Sequence, residues 1–151
     1  MKIALFVHCF FPDHFYGTET YTLELANNLI AMGHEPIVVS AVYPGEAKRE
    51  SAITMYEYMD IPVYCLDKNY YPHHTVRETY YQPTLLELHK QLLSAIKPDL
   101  VHVTHLINHT ASLLDATDTV SIGDVDAVAK ATDQILVKCF GAQSFDHELL
   151  H

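Results

Sequence analysis

The pattern of apolar positions predicts that the chain begins with a strand, a helix and a second strand. Residues 3–7 form a short continuous apolar run, which is typical of a parallel strand covered on both faces. From residue 18 the apolar positions recur every three or four residues, as in a helix that packs on a sheet. Gly33 then ends the helix in the manner of a left-handed cap, and residues 37–39 form a second buried strand. The predicted apolar stripe of the helix consists of Tyr21, Thr22, Leu25, Ala26, Leu29 and Ile30.

The loop between the first strand and the helix indicates a ligand site. Pro12 has no backbone N–H and favours an extended Phe11, so the strand is expected to end there. Gly17 can adopt a positive φ or let a ligand approach its backbone closely, although a simple turn before a helix is the alternative interpretation. Because such crossovers are right-handed, the loop is expected at the carboxyl edge of the sheet, where open α/β folds bind ligands.

The later pattern predicts a strand at residues 63–66, a helix from Pro83 and a strand at residues 100–103. The exit loop of the last strand, residues 104–109, is expected to face the same crevice as the Gly17 loop. The stripe of the helix from Pro83 consists of Leu85, Leu88, Leu92 and Ile96.

Composition narrows the class of protein. With 151 residues, 49% hydrophobic and 19% charged, the chain is expected to form one soluble domain with a substantial core. No apolar run is long enough to span a bilayer, and no cleaved signal peptide is expected, so we predict a cytoplasmic protein. A formal charge of −10 argues against a protein that mainly binds a phosphate backbone or an anionic membrane. The three cysteines, Cys9, Cys65 and Cys139, are interpreted as buried reduced thiols.

Three histidines near the second loop allow several interpretations. His105 and His109 would share a face if the segment were helical, so a metal site with His102 is conceivable, but no carboxylate or thiolate lies nearby in sequence to complete it. The simpler hypothesis is that a single imidazole acts in acid–base catalysis or donates a hydrogen bond. The remaining interpretation is that all three histidines are structural. His102, inside the strand, is expected to be packed.

Two blocks of residues resemble a known family. Pro12, the triplet Gly17-Thr18-Glu19, Leu25-Ala26 and Gly33-His34-Glu35 are similar in kind and spacing to the N-terminal domain of family 4 glycosyltransferases, and residues 98–106 are similar to a second motif of that domain. Tyr16 stands where the family usually has the first of two glycines, so a stiffer and less open loop is expected. The resemblance covers residues 1–116 and implies a helix at residues 106–116. Residues 117–151 are an atypical segment, expected to pack on the same domain as a helix at 124–129 plus a strand at 135–137 or a tail.

The resemblance implies an α/β fold, a Rossmann-like parallel sheet with helices on both faces that forms one half of a GT-B enzyme. Such enzymes transfer a sugar from a nucleotide-sugar to a sugar or lipid-linked acceptor and retain the anomeric configuration of that sugar. The donor is held mainly by a C-terminal domain. His105 matches the histidine that faces the donor sugar. Tyr16, Gly17, Thr18 and Glu19 match the substrate-binding turn, in which Glu19 is expected to cap the helix or bind a hydroxyl.

The resemblance further implies that no metal ion is needed and that a single domain is inactive or nearly so, because one lobe does not enclose the substrates. Self-association of such a half-enzyme is also conceivable. A nicotinamide or flavin enzyme is disfavoured because none of the five glycines are spaced as G-x-G-x-x-G. A non-catalytic sugar-binding or scaffold protein on the same fold remains the alternative.

Overall fold

A computed structural model describes residues 1–43, 45–46 and 48–119 of the chain. The elements, in chain order, are β1 (Lys2–Phe6), α1 (Gly17–Ala31), β2 (Glu35–Val42), β3 (Ile53–Tyr58), β4 (Ile61–Asp67), a short 3₁₀ turn (Lys68–Tyr70), α2 (Val76–Tyr80), α3 (Pro83–Ile96), β5 (Leu100–Val103) and α4 (Ser112–Thr119). The five strands form one sheet in the order β3-β4-β2-β1-β5.

The sheet is parallel except at one edge. β1 pairs in parallel with β2 and with β5, and β2 pairs in parallel with β4. Ala4 in the central strand β1 therefore lies between Ile37 of β2 and Val101 of β5. This is the α/β Rossmann-like architecture that the sequence predicts, and it brings the carboxyl ends of β1, β2, β4 and β5 to one edge.

The exception is β3, a strand that the sequence analysis missed. β3 pairs antiparallel with β4 through a tight turn in which Met59 and Asp60 both have positive φ, at 49° and 63°. Turns of this kind are usually marked by Asn-Gly or Asp-Gly, and a Met-Asp pair gives no such signal. Met55 and Glu57 are exposed on the outer face of the strand, so it also lacks a continuous apolar run.

Helices cover both faces of the sheet, as predicted. On one face, Leu25, Ala26 and Leu29 of α1 pack against Ile3 and Leu5 of β1. On the other face, α3 and α4 pack against β1 and β2. The buried residues of this second cluster include Ala4, Phe6, Val39, Ala41, Leu85, Leu92, Leu93, Ile96, Leu113 and Ala116. Together the two clusters form a core on each side of one sheet, which fixes where the strands end.

Two helices differ in detail from the prediction. Tyr21 and Ile30, both assigned to the α1 stripe, are exposed, whereas the charged residue Glu19 is buried on that helix. The helix after β5 begins at Ser112 rather than near residue 106, and it runs past residue 116. Thr110 has a φ of 57°, which a right-handed helix does not accommodate, so residues 106–111 form turns instead.

Within the described part of the chain, no helix has the length and apolar character needed to cross a membrane. The helix predicted at residues 124–129, the strand predicted at 135–137, the predicted tail and Cys139 all lie outside the described residues. Cys9 and Cys65 are buried free thiols, as predicted.

Candidate functional site

The exits of β1 and β5 are joined directly at the carboxyl edge of the sheet. The carbonyl oxygen of Phe6, the last residue of β1, accepts hydrogen bonds from the backbone N–H of Thr104 at 2.9 Å and from its hydroxyl at 3.0 Å. The Thr104 hydroxyl also lies 3.1 Å from that of Thr22 on α1. These contacts bring the helix that starts at Gly17 and the loop that holds His105 to the same edge, where the topology predicts a crevice.

The first of the two loops leads to an uncapped helix N-terminus. α1 begins at Gly17, and Tyr16 at the N-cap position makes no capping hydrogen bond with its side chain. The backbone N–H groups of Gly17 and Thr18 precede any helical carbonyl that could accept from them. The space around Gly17 is open: apart from its chain neighbours and the backbone of its own helix, no atom lies within 4 Å of the point that a β-carbon would occupy, and its φ lies outside the left-handed region. This end of α1 has the accessible, partially positive character that suits an anion.

Tyr16 and its neighbour Phe15 lie at the mouth of this turn. Their rings are stacked, with centroids 5.8 Å apart and planes inclined by 17°, and Tyr16 is 72% exposed. Tyr16 therefore projects into solvent beside the helix N-terminus. It adds an aromatic surface there without covering Gly17.

Glu19 is buried, with only 1% of its surface exposed, and its carboxylate is directed at the β1 exit. Its Oε1 accepts a hydrogen bond from the Cys9 thiol at 2.7 Å and lies 3.2 Å from Nε2 of His8. Its Oε2 is also buried and has no hydrogen-bond partner among the described residues. The expectation that Glu19 caps the helix or binds a hydroxyl did not foresee this arrangement, in which the side chain connects α1 to the loop after β1.

The titration behaviour of this cluster follows from burial and close contact. Burial raises the pKa of the Cys9 thiol, and the adjacent Glu19 carboxylate raises it further, so Cys9 is a protonated donor. Burial alone would raise the pKa of Glu19, but the Cys9 hydrogen bond, the helix backbone and the imidazoles of His8 and His14 together lower it. Glu19 is therefore an ionised acceptor.

His105 is exposed on the β5 exit loop, and its ring has a defined orientation. The backbone N–H of Ile107 donates to Nδ1 of His105 at 3.2 Å. In the neutral ring the proton therefore resides on Nε2, which leaves an N–H donor free to face a ligand. The ring lies 4.5 Å, centroid to centroid, from that of His8. Burial lowers the pKa of His8, opposed by Glu19, and the nearby imidazoles of His105 and His14 lower it further.

The structure separates the three histidines that the metal hypothesis grouped. His102 is exposed on β5 rather than packed, whereas His109 is buried in the core. Nε2 of His109 donates to the carbonyl of Val7 at 2.8 Å, so its Nδ1 accepts from Nε2–H of His89 at 3.2 Å. Because both nitrogens of His109 are used, it does not act with His105 on a ligand.

Two polar residues at this edge were missed by sequence reasoning. Nζ of Lys68, just after β4, donates to Oδ1 of Asn108 at 3.1 Å, and Nδ2 of Asn108 donates to the carbonyl of His8 at 2.6 Å. Both side chains are buried, and burial lowers the pKa of Lys68. The available signal was the position of Lys68 directly after β4 and of Asn108 in the exit loop of β5, since loops at a carboxyl edge commonly carry functional polar groups.

The fold is therefore an open α/β architecture in which a helix N-terminus and a histidine-bearing loop lie at the carboxyl edge of the sheet. The sequence profile described as Glycosyltransferase Family 4 matches residues 15–122, which include α1, β5 and α4. The chain belongs to glycosyltransferase family 4. A comparison with curated proteins finds no match.

Proposed function

We propose that this chain is the acceptor-side, N-terminal domain of a retaining glycosyltransferase that moves a sugar from a nucleotide-sugar to a sugar or lipid-linked acceptor. The observation that carries the proposal is the convergence of the Gly17 turn and the His105 loop at one sheet edge within a family 4 domain. Family membership supports the general activity, and the geometry of the edge supports the division of roles set out below.

The α1 N-terminus is suited to the diphosphate of the donor. The helix geometry directs the backbone N–H groups of Gly17 and Thr18 outward along the helix axis. Residue 17 has no side chain, so a phosphate oxygen can approach these groups closely. The buried carboxylate of Glu19 is turned toward His8 and Cys9, which keeps its negative charge from lying on the approach path. Glu19 therefore acts by shaping the turn, and the backbone provides the anion contacts.

His105 is suited to a hydroxyl of the transferred sugar or of the acceptor. Its Nδ1 is held by Ile107, so its Nε2–H is the group available to donate. A hydrogen bond that strengthens as charge develops in the transition state accelerates transfer more than it improves ground-state binding. The neighbouring stacked rings of Phe15 and Tyr16 offer an apolar face for a sugar ring or an aglycone.

Transfer requires a second lobe, because a crevice open on one side does not exclude water or neutralise the leaving diphosphate. The test uses the complete enzyme, formed by this domain with its donor-binding domain. We expect His105→Ala to lower kcat by roughly 10²-fold, the usual cost of losing one hydrogen-bond donor at a developing charge. His102→Ala, on the exposed part of the adjacent strand, is the matched control and should leave kcat unchanged.

An unchanged rate in His105→Ala would remove this residue from the reaction. Titration of the 151-residue chain alone with a panel of nucleotide-sugars gives a second test, and it should show weak binding at most. Tight binding by the isolated chain, without transfer in the presence of any donor domain, would instead favour a non-catalytic sugar-binding protein.

A further inference from the structure

We propose that His8, Cys9 and Glu19 form a zinc-binding site at the base of the carboxyl-edge crevice. The inference goes beyond the proposed sugar transfer and departs from the metal-free chemistry that the family resemblance implies. It begins from one juxtaposition: a ring nitrogen of His8, the sulfur of Cys9 and a carboxylate oxygen of Glu19 all lie within 4.8 Å of one another.

The three donor atoms are of the types that zinc accepts. Imidazole nitrogen, thiolate sulfur and carboxylate oxygen bind zinc at about 2.0–2.3 Å, so neighbouring ligands of a tetrahedral ion lie about 3.3–3.8 Å apart. The distances from Glu19 Oε1 to His8 Nε2 and to Cys9 Sγ are 3.2 and 2.7 Å, and all three donor atoms lie within 4.8 Å of one another, so shifts on the order of 1 Å bring them to tetrahedral spacing. A set that includes sulfur disfavours magnesium and calcium, which prefer oxygen ligands.

A second observation is independent of this spacing. Oε2 of Glu19 is buried and has no hydrogen-bond partner among the described residues, although a buried unpaired carboxylate oxygen is costly. The carboxylate belongs to a side chain that is 1% exposed, so water has little access to it. A cation bound to this carboxylate would offset that cost.

Charge and access also fit zinc. On binding, the Cys9 S–H bond breaks and its proton passes to solvent, so the thiolate and the Glu19 carboxylate carry two negative charges that balance one Zn²⁺. Cys9 and Glu19 are almost fully buried, whereas the His8 side chain is 15% exposed, so entry lies past the imidazole. Three protein ligands leave one tetrahedral position for water or for an oxygen of a bound ligand.

The decisive experiment is X-ray absorption spectroscopy on the zinc-loaded full chain. We expect a first shell with one sulfur at about 2.3 Å and nitrogen or oxygen ligands at about 2.0–2.1 Å. The double variant Cys65→Ser with Cys139→Ser leaves Cys9 as the only thiol and should show the same shell. A shell without sulfur in this double variant would overturn the proposal, and that result does not depend on any change to the site itself.

Cobalt titration of the same proteins measures affinity. Co²⁺ should produce a thiolate charge-transfer band in the double variant, and Cys9→Ser should abolish the band. Glu19→Gln should weaken binding by roughly 10-fold or more, as judged from effects of altering groups around metal ligands. Far-ultraviolet circular dichroism confirms that each variant is folded. A band that survives Cys9→Ser would assign the metal to another cysteine and refute the site. No sugar is present in either measurement. Failure of the zinc-site proposal can therefore be distinguished from failure of the proposed transferase function.

Discussion

Two pairs of neighbouring histidines differ in burial and in hydrogen bonding. One pair is His8 with His105, and the other is His89 with His109. The rings of the first pair are 4.5 Å apart at the carboxyl edge, and His105 is exposed. The rings of the second pair are 5.4 Å apart in the core, edge-on to Phe6, and both residues are fully buried. Hydrogen bonds fix the tautomers of the core pair, whereas the edge pair keeps an unused Nε2–H. The comparison shows that burial and hydrogen-bond partners, rather than residue type, separate an imidazole fixed in the core from one with a nitrogen left for a ligand.

The largest effect is expected from truncating the core pair. His109→Ala removes a buried ring that bonds to Val7 and His89, so it leaves a cavity and unsatisfied polar groups. We expect the free energy of unfolding to fall by about 3 kcal/mol, as measured by urea denaturation. His105→Ala, at the exposed position, is the control and should change stability by less than about 0.5 kcal/mol. An equal fall in the free energy of unfolding in the two variants would contradict the difference proposed between the buried and the exposed histidine.

The next effect is a loss of stability in acid. Burial lowers the pKa of His109 to about 4 and that of His89 well below its usual value. Below pH ~6.5 these histidines are therefore protonated in the unfolded chain while they stay neutral in the native core. The contribution is fully present above pH ~6.5 and is lost as the pH falls toward 4. Between pH ~6.5 and ~5, His109 alone should cost about 2 kcal/mol of unfolding free energy.

Urea denaturation across this pH range measures the slope, and His109→Gln, which does not titrate, should flatten it. His105→Ala should leave the slope unchanged. A slope in His109→Gln as steep as that of the original chain would assign the acid sensitivity elsewhere.

A smaller effect tests how the two exits are joined. Thr104→Val keeps the shape of the side chain but removes the hydroxyl that bonds to the Phe6 carbonyl and meets Thr22. We expect a loss of about 1 kcal/mol in thermal or urea unfolding, typical of one hydrogen bond. Thr104→Ser retains the hydroxyl and should lose less. The reverse order would mean that the methyl group, rather than the hydrogen bonds, holds the exits together.

The smallest effect is expected at Tyr16. This side chain is largely exposed and stacks only on Phe15 among the contacts of the described residues, and glycine is acceptable at a helix N-cap. Tyr16→Gly should therefore change the unfolding free energy by less than about 0.5 kcal/mol. A large loss of stability would show that the aromatic pair is part of the fold rather than of the ligand surface.

The sequence predicted most of the fold because the relevant signals were local. The continuous apolar run of β1, the short β-branched strand pattern of β5, the helical period of α1 and α3 and the cap at Gly33 could all be recognised in short windows of sequence. β3 was missed because its Met59-Asp60 turn carries no glycine or asparagine. The start of α4 was misplaced because only the tertiary structure holds Thr110 at positive φ.

The site was predicted less well, because its contacts join segments far apart in the chain. Placing Gly17 and His105 at one edge required only strand order and handedness. The burial of Glu19 against His8 and Cys9 could not be read from α1, where a charged residue is normally assigned to solvent. The hydrogen bonds that link Lys68 to Asn108, and Asn108 to the loop after β1, join residues that are 40 and 100 positions apart. No local sequence pattern in these segments predicts such contacts.

That link has a mechanical consequence. Asn108 fastens the chain after β4 and the chain after β5 to the carbonyl of His8, while Thr104 fastens the same region to the last residue of β1. Three strand ends are thus braced against one another by buried and partly buried hydrogen bonds. Such bracing is expected to resist relative movement of the strand ends, so under the proposed function any closure around a substrate would come from movement of the second lobe.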